Sequence, residues 1–454
     1  MREYDVIVIG AGPGGLSAAC AAKSAGAETV LVLERDRETG GILNQCIHDG
    51  FGLSRYHKML TGPEYAALER RAARVSGVEV LTGATVTNLT ADREVMAVTR
   101  DGLQRFHAGA VVLATGCRER TRGAISIPGT RPAGIYTAGA AQRLMNISNI
   151  MVGRQVVILG SGDVGLIMAR RLTLAGARVI CVLEMMPQPC GLERNISQCL
   201  NDFGIPLYVG HTVSKIYGQD RLTGVGVAET DGLHQPVCGT ERRINCDTLV
   251  LSVGLIPENE LAAKAGAAVD PRHNGVMTDQ CLQSSIPGIF ACGNARRVMD
   301  LADFVSEQGA AAGKNAALFG KGRPLEAAGS EGKNRMRKGF PDPNSVTCIL
   351  CPRGCALRYH GNGEVSGNHC PRGEEYARQE RDAPLRTLTA SMRDTKGCAV
   401  AVRSSAPLPK KELLRAAREL RRITLTAEQR PINTVVVSDL LHLGIDILTT
   451  AETE

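Results

Sequence analysis

The sequence of 454 residues predicts an α/β fold in which one βαβ unit with parallel strands occurs twice, followed by a small C-terminal Cys-rich α+β domain. Two short β-branched runs, about 150 residues apart, each precede a G-x-G-x-x-G motif and a stretch of helical length rich in Ala and Leu. Each copy then continues into a second apolar strand that ends in an acidic residue. After Leu318, a stretch rich in Gly, Lys, Arg and Pro precedes a cluster of cysteines, which indicates a linker and a further domain.

The glycines of such a motif have separate physical roles. The first permits a sharp turn, the second lets backbone N–H groups approach a pyrophosphate, and the third seats the helix on the strand. These positions are Gly10, Gly12 and Gly15 in the first copy and Gly160, Gly162 and Gly165 in the second. The acids, Glu34 and Glu184, each follow the third glycine by 19 residues and are expected to accept hydrogen bonds from an adenosine ribose. Two Rossmann-like dinucleotide-binding domains are therefore predicted.

The residues around Glu184 favour NADH over NADPH in the second domain. A carboxylate would repel a 2′-phosphate, and the residues that follow it are Met185 and Met186 rather than an arginine. Arg170 and Arg171 belong to the preceding predicted helix, where we expect them to form a solvated face.

Two further segments carry a resemblance to a known family. Residues 111–116, which end in Ala-Thr-Gly, and residues 288–294, which end in Gly293-Asn294, resemble two signatures of the pyridine nucleotide–disulfide oxidoreductases and NADH oxidases. The second signature usually ends in Gly-Asp, and the amide of Asn294 can still bond a hydroxyl group. The resemblance implies FAD in the first fold, at Gly10, Gly12, Gly14, Gly15, Glu34, Gly41, Thr115, Gly116, Gly293 and Asn294. It implies NAD(H) in the second fold, at Gly160, Gly162, Gly165, Glu184 and Gly254.

The order of these motifs also implies an inserted domain. The FAD domain would comprise residues 1–118 and 250–320, with the NAD domain, residues 119–249, inserted between them. A linker at 321–344 and a Cys-rich iron–sulfur domain at 345–454 would follow. Phe304 to Phe319 is expected to form a helix that closes the FAD site.

Disulfide reductases of this family carry a redox cysteine pair, either C-x4-C after the first Gly-Gly or C-x-x-C in the NAD domain, and this sequence has neither. Cys46 and His48, which follow Gly41, are the candidates for a thiol redox centre or a proton donor near the flavin. The simpler interpretation of Cys46 is a half-buried thiol that lines the pocket.

The tail contains a second motif with chemical meaning. Its spacing is C-x2-C-x3-C-x14-C, formed by Cys348, Cys351, Cys355 and Cys370. Zinc usually takes two separated C-x-x-C pairs, whereas a three-plus-one spacing with proline after a ligand is typical of iron–sulfur ligation. The segment also resembles the N-terminal [4Fe-4S] segment of molybdopterin oxidoreductases. A [4Fe-4S] cluster is predicted, and zinc or unligated thiols are the alternatives.

These features together predict an NADH-linked FAD oxidoreductase that passes electrons through the cluster to or from a protein partner. Resemblance of the whole chain implies that this partner belongs to a dehydrogenase, such as a glycerol-3-phosphate dehydrogenase. One alternative is a disulfide, peroxide or sulfur reductase that works through Cys46, with the tail as a zinc-stapled docking domain. Another is a scaffold that has lost reactivity with NADH.

Charge and hydropathy limit the remaining classes of function. The net charge is +7, and residues from Lys321 onward hold 22 basic and 16 acidic residues, including the run from Lys333 to Lys338. Without interleaved aromatic residues this does not predict nucleic-acid binding. No apolar run reaches the ~18 residues of a membrane helix. The first strand begins at Tyr4 and leaves no room for a signal peptide, so a cytoplasmic location is predicted.

Overall fold

A computed structural model describes residues 2–329, 336–361 and 363–452. The chain divides into two compact units. The first unit comprises Met1–Arg118 and Leu255–Lys333, and the second comprises Glu119–Gly254 and Asn334–Glu454. Both units are discontinuous in sequence. The short strands Cys117–Glu119 and Leu255–Pro257 lie where the chain passes from one unit to the other.

The first unit is built on a sheet of seven strands. Four neighbouring strands run parallel, in the order Glu79–Thr82, Val30–Glu34, Arg2–Ile9 and Gly102–Leu113. Ile289–Ala291 pairs in parallel with the end of Gly102–Leu113, and Glu94–Thr99 and Thr85–Leu89 continue the sheet in antiparallel fashion. A separate two-stranded ribbon joins Asp49–Phe51 to Leu60–Thr61. The central strands are apolar on both faces, and both faces are buried in hydrophobic cores.

Helices of the first unit pack on that sheet, and one of them, Pro13–Ser24, begins shortly after the end of the strand Arg2–Ile9. The α-helices are Pro13–Ser24, Gly62–Val75, Glu260–Lys264 and Ala302–Gly320, and the 3₁₀-helices are Gly41–Gln45 and Gly293–Ala295. Pro13 occupies the first turn of its helix, where the missing N–H costs nothing. A Thr61–Glu64 capping box fixes the start of Gly62–Val75.

The N-terminal part of the second unit repeats the parallel pattern. Its five-stranded sheet has the order Ile135–Thr137, Thr248–Leu251, Gln155–Leu159, Arg178–Glu184 and Leu207–Val209. A three-stranded antiparallel sheet is formed by His211–Gly218, Leu222–Glu229 and Arg242–Ile244. The helices are Arg122–Ile125, Ala138–Asn146, Asp163–Leu174, Glu193–Cys199 and the 3₁₀ turn Asn201–Phe203.

The C-terminal part of the second unit contains a five-stranded sheet of its own. The order is Thr424–Leu425, Thr389–Asp394, Ala399–Ser404, Ile447–Thr449 and Val435–Val437. Smaller strands are Val346–Thr347, Ala356–Tyr359, Val365–Ser366, Leu385–Arg386 and Leu408–Pro409. The helices are Pro371–Asp382, Leu413–Leu420 and the 3₁₀ turns Lys410–Glu412 and Leu440–His442. Apolar residues of this sheet and of the Leu413–Leu420 helix form one core that also includes Leu174 of the N-terminal part.

The predicted fold class is confirmed: the chain has two Rossmann-like α/β sheets and a small C-terminal domain. The exact boundaries of the predicted domains stay a prediction. Of the basic run from Lys333 to Lys338, residues 333–335 lie outside the described ranges. Within those ranges, no helix is both long and apolar enough to cross a membrane.

The predicted solvated face of Arg170 and Arg171 is wrong. Arg170 donates to the Thr387 carbonyl at 2.7 Å, and Arg171 donates to the Ser391 hydroxyl at 2.5 Å. Burial, together with the nearby Arg170 charge, lowers the pKa of Arg171 to about 10. The physical reason is that the helix Asp163–Leu174 faces the C-terminal sheet, which the local helical pattern cannot reveal.

Candidate dinucleotide sites and the C-terminal cysteine set

The first glycine loop has the shape that its sequence predicts. Gly10 has a φ of +103°, and a Cβ there would lie 2.5 Å from the Ala114 carbonyl oxygen. A Cβ on Gly15 would overlap the Gly10 carbonyl oxygen, so helix and strand touch at this point. By contrast, a Cβ on Gly12 would meet nothing within 4 Å. The backbone of Gly12 therefore borders open space beside a helix N-terminus, where a pyrophosphate group fits.

The second glycine loop repeats this geometry with Ser252 in place of Ala114. Gly160 has a φ of +100°, and a Cβ there would overlap the Ser252 carbonyl oxygen. A Cβ on Gly165 would lie 2.8 Å from the Ser252 Cβ, and the Gly165 N–H donates to the Ser252 hydroxyl at 3.1 Å. The nearest atom to a Cβ on Gly162 is the Ser252 hydroxyl at 3.5 Å, so this glycine again has room beside it.

The two acids are held in the same way. The Ala11 N–H donates to Glu34 at 2.7 Å, and the Asp36 N–H donates to its other oxygen at 2.9 Å. The Ser161 N–H donates to Glu184 at 3.0 Å, and the Met186 N–H donates to its other oxygen at 2.9 Å.

Both carboxylates are buried, with 6% and 4% of the residue exposed for Glu34 and Glu184. Each acid therefore ties its own glycine loop to the end of the neighbouring strand. An ionised carboxylate has capacity for about four hydrogen bonds, which leaves acceptor capacity for ribose hydroxyls.

A third feature that the two copies share is a glycine after the acid, which the motif-based prediction missed in the second copy. Gly41 and Gly191 each follow the acid by seven residues, and that spacing was the available signal. A Cβ on Gly41 would lie 3.0 Å from the Gly12 Cα, and a Cβ on Gly191 would lie 2.7 Å from the Ser161 carbonyl oxygen. In each copy the loop after the acid therefore packs directly on the glycine loop.

The remaining residues predicted to contact FAD meet at one edge of the first sheet. The Thr115 hydroxyl donates to the Glu258 carbonyl at 2.7 Å, and a Cβ on Gly116 would meet nothing within 4 Å. The Gly293 N–H donates to Gln308 at 2.7 Å. These bonds hold both signature segments at the carboxyl ends of their strands, the usual position for a ligand in an open α/β sheet.

Asn294, which replaces the usual aspartate, uses its amide within the chain. Its Oδ1 accepts from the Met299 N–H at 2.9 Å, and its Nδ2 donates to the Cys117 sulfur at 3.5 Å. Cys117 therefore lies beside the candidate flavin residues. Gly254, predicted for the second site, has its carbonyl bonded to the Arg120 N–H at 3.0 Å.

The helix Ala302–Gly320 packs closely against the helix that follows the first glycine loop. A Cβ on Gly14 would lie 3.1 Å from a Val305 methyl group and 3.5 Å from the Cys292 sulfur. Gly309 and Gly313 pack against the backbone of the helix Pro13–Ser24, because a Cβ on either would overlap a carbonyl oxygen there. The predicted helix is thus present, and its small residues serve helix–helix contact.

Cys46 and His48 follow the 3₁₀-helix Gly41–Gln45, whose first glycine packs on the first glycine loop. The His48 ring lies 5.0 Å from the Phe51 ring, centroid to centroid. Burial raises the pKa of the Cys46 thiol to about 12. At neutral pH this thiol is therefore protonated, which does not suit a nucleophile.

Three of the four C-terminal cysteines lie in one hydrogen-bonded segment, and the fourth lies before a helix. The Cys348 N–H donates to the Cys355 carbonyl at 2.8 Å, and the Gly354 N–H donates to the Cys351 carbonyl at 3.3 Å. Cys370 precedes the first residue of the helix Pro371–Asp382.

Burial, with smaller contributions from the other three thiols, raises the pKa of Cys348 to about 11. The positive charge of a bound metal would stabilise the deprotonated, thiolate form of these cysteines. Within residues 2–329, 336–361 and 363–452, however, no three or more His, Cys, Asp or Glu side chains are arranged as a metal site. The cluster therefore stays a prediction.

Two glycine loops, each with a buried acid at its strand end, define the class of flavoproteins that bind two dinucleotides. The profile of the pyridine nucleotide-disulphide oxidoreductases matches residues 4–309, and the chain belongs to this family of FAD- and NAD(P)H-dependent enzymes. A second profile, a protein family of unknown function (DUF1667), matches residues 371–451. The candidate metal ligands all precede residue 371, so neither match includes them.

Curated relatives and solved structures agree with this family. An opine oxidase subunit from Agrobacterium tumefaciens is 30% identical over 313 residues, which cover 64% of this chain and 61% of that protein. The ferredoxin reductase component of chlorobenzene dioxygenase from a Cupriavidus species is 29% identical, over 54% of this chain and 58% of that protein. The matched regions thus span about three fifths of these relatives. The structure of T. acidophilum thioredoxin reductase matches with a TM-score of 0.58 and 22% identity, over 71% of this chain and 99% of that one, and shows a shared fold.

Proposed function

We propose that this chain is an NADH-linked FAD oxidoreductase that exchanges electrons with a protein partner through its C-terminal cysteine set. The observation that carries the proposal is the pair of glycine loops, each tied by a buried acid and each bordering open space at the middle glycine. Bound FAD would accept a hydride from NADH and release electrons one at a time. The chain itself binds and orients the two nucleotides.

The first site is proposed for FAD and the second for NADH. Glu34 and Glu184 would each accept a ribose hydroxyl, while the loop N–H groups face the pyrophosphate. Near the flavin, Thr115 and Asn294 keep their segments at the sheet edge through bonds to Glu258 and Met299. The acid at position 184 is followed by methionines, which supports NADH as the second nucleotide.

Anaerobic titration with NADH tests this function. The purified protein is expected to have a flavin absorbance that bleaches on addition of about one equivalent of NADH. A protein that contains FAD but stays yellow in excess NADH would instead be the scaffold without NADH reactivity. NADPH serves as the matched reagent, since it differs only in the 2′-phosphate.

The cysteine set is proposed to hold a [4Fe-4S] cluster, and its three-plus-one spacing supports this proposal. Iron and sulfide content after anaerobic purification distinguishes this from zinc. Replacing Cys348, Cys351, Cys355 or Cys370 by Ala should remove the metal and leave FAD bound. Cys398→Ala is the control, because Cys398 is an exposed thiol of the same region outside the set. Iron that survives two simultaneous replacements within the set would refute the ligand assignment.

The partner is proposed to be a component of a dehydrogenase or an oxidase. One relative is named as a subunit of an opine oxidase, and another as the ferredoxin reductase component of a dioxygenase. A glycerol-3-phosphate dehydrogenase is a specific candidate that rests on sequence resemblance. A cytoplasmic location stays a prediction.

The alternative, a disulfide, peroxide or sulfur reductase working through Cys46, is less well supported. Such a reaction needs a thiolate, and burial raises the pKa of Cys46 to about 12. The family's second redox cysteine also has no counterpart at the expected spacing.

A further inference from the structure

We propose that Arg337 is a positioning residue of the second dinucleotide site, and that the tail segment 337–339 holds the loop 190–193 against the second glycine loop. This inference rests on the proposed function, since it concerns the site assigned there to NADH. It makes part of the C-terminal tail a component of nucleotide binding.

The loop 190–193 lies directly on the second glycine loop. The Cys190 N–H donates to the Ser161 hydroxyl at 3.0 Å, and the Leu192 N–H donates to the Asp163 carboxylate at 2.8 Å. Asp163 also accepts from the Asn195 amide at 2.8 Å. Ser161 and Asp163 flank Gly162, the glycine that borders open space, so any movement of this loop changes the wall of the site.

The tail segment holds the other side of that loop. The Glu193 N–H donates to the Arg337 carbonyl at 3.0 Å, and Leu192 and Lys338 form an antiparallel bridge. The Arg337 side chain donates to Glu193 at 3.1 Å. Only 5% of the Glu193 side chain is exposed, whereas 40% of the Arg337 side chain is. Burial raises the pKa of Glu193, and the charge and hydrogen bond of Arg337 oppose this rise. Arg337 therefore supplies a charge and a hydrogen bond that favour the ionised form of a buried carboxyl group of this loop.

In the first copy, an arginine from a helix supports the corresponding loop. There, the Gly40 N–H donates to the Ala11 carbonyl at 2.8 Å, which places the loop after Glu34 on the first glycine loop. Arg70, from the helix Gly62–Val75, donates to the Thr39 carbonyl at 3.0 Å and so supports that loop from outside. In the second copy the supporting arginine comes from the tail. In both sites an arginine supports the loop that follows the acid. The arginine lies on a helix in the first site and in the tail segment in the second.

The same segment reaches the cysteine set. The Arg337 N–H donates to the Arg353 carbonyl at 3.3 Å, and Arg353 lies between Cys351 and Cys355. A Cβ on Gly354 would lie 3.6 Å from the Arg194 backbone nitrogen. Hydrogen bonds therefore connect the second glycine loop, the loop 190–193, the tail segment and the cysteine turn in sequence.

The test compares Arg337→Ala with Arg337→Lys in the full-length protein. We expect Arg337→Ala to raise the NADH dissociation constant and the KM for NADH by about three- to tenfold, the range for a charged hydrogen bond weakened by partial exposure. The kcat with a small artificial electron acceptor and the FAD content should not change. Arg337→Lys should recover much of the affinity. Arg358→Ala is the matched control, because Arg358 forms an exposed ion pair with Asp342 in the same region.

Unchanged NADH affinity in Arg337→Ala would overturn the inference, as would an equal loss in Arg358→Ala. If Arg337→Ala does not fold, Glu193→Gln removes the same ion pair with little change in shape and is expected to give the same loss of affinity. The dissociation constant, measured by equilibrium dialysis, separates this inference from the proposed function. A wild-type protein that binds NADH without flavin reduction would refute the function, and the variants would still decide the role of Arg337.

Discussion

Single residues in this protein often serve both the fold and the proposed chemistry. Glu184 accepts hydrogen bonds from the Ser161 N–H at 3.0 Å and from the Met186 N–H at 2.9 Å, and so holds the second glycine loop in place. The same carboxylate is proposed to accept hydrogen bonds from a ribose. Removing the whole carboxylate would leave buried donors without an acceptor, which itself costs stability. A variant that keeps one acceptor oxygen is therefore the better probe.

Glu184→Gln should raise the KM for NADH by about tenfold and narrow the preference for NADH over NADPH, because hydrogen bonds to a charged acceptor are stronger than those to an amide. Steady-state kinetics with both nucleotides measure this change. Glu229→Gln is the control, since Glu229 is an exposed carboxylate at the end of a strand in the same unit. Equal efficiency with NADH and NADPH in the unmodified protein would contradict the assignment.

Cys46→Ala should retain both FAD and the NADH-dependent reduction of a small acceptor, within about threefold. The reason is that burial raises the pKa of Cys46 to about 12, so the unmodified residue is a neutral thiol at working pH. Anaerobic reduction followed by absorbance measures the effect. Loss of the reaction in a variant that still binds FAD would support the alternative function, a reductase that works through Cys46.

At the scale of elements, the first unit depends on a close contact between two helices. Pro13–Ser24 and Ala302–Gly320 approach each other at Gly14 and Ala18 of one and Gly309 and Gly313 of the other. Backbones approach this closely only where a side chain is absent. One of these helices begins at the first glycine loop, and the other is proposed to form a wall of the FAD site.

Gly309→Ala should destabilise the first unit by about 3 kcal/mol and weaken FAD retention, because the added methyl group overlaps the Gly14 carbonyl oxygen. Thermal unfolding and the FAD content after gel filtration measure both effects. Gly320→Ala, in the same helix, is the control, since a Cβ there would lie 3.9 Å from the nearest atom, the Asp5 carbonyl oxygen. Equal behaviour of the two variants would show that this contact does not limit stability.

At the scale of the whole molecule, the second unit joins the N-terminal α/β part to the C-terminal part through buried ions. Arg386 donates to Asp202 at 2.5 Å and to Glu380 at 2.6 Å, and only 5% of the Arg386 and Asp202 side chains is exposed. Lys410 lies 2.7 Å from Asp202. Burial alone would raise the pKa of Asp202, but the hydrogen bonds and charges of Arg386 and Lys410 lower it below 3.8.

Asp202→Asn should destabilise the second unit by about 3 kcal/mol at neutral pH, because it leaves the buried Arg386 with one charged partner fewer. A depressed carboxyl pKa contributes stability above its ordinary value of 3.8 and loses it as the pH falls through the lower folded-state pKa. The difference between the two proteins should therefore shrink below about pH 4, as measured by denaturant unfolding. Asp382→Asn, in an exposed pair with Arg381, is the control and should leave stability unchanged. A difference that persists at low pH would argue against the charge as its cause.

The sequence by itself determined the parts of this protein that depend on neighbours along the chain. A βαβ unit is local, so a strand, three glycines and an acid 19 residues later suffice to predict it, and both copies fold as predicted. The predicted helix at Phe304 to Phe319 also has a counterpart, Ala302–Gly320. The family resemblance followed from the order of these local motifs.

Only the tertiary structure decided which side chains from distant segments meet. Arg171 bonds to Ser391 and Arg386 to Asp202, in pairs separated by 220 and 184 residues, and Arg337 supports a loop that lies far earlier in the chain. Charged residues on a predicted helix or in a linker have the same pattern whether they face water or a buried partner. Their roles depend on which surfaces the folded chain covers, and that information is absent from any local window of sequence.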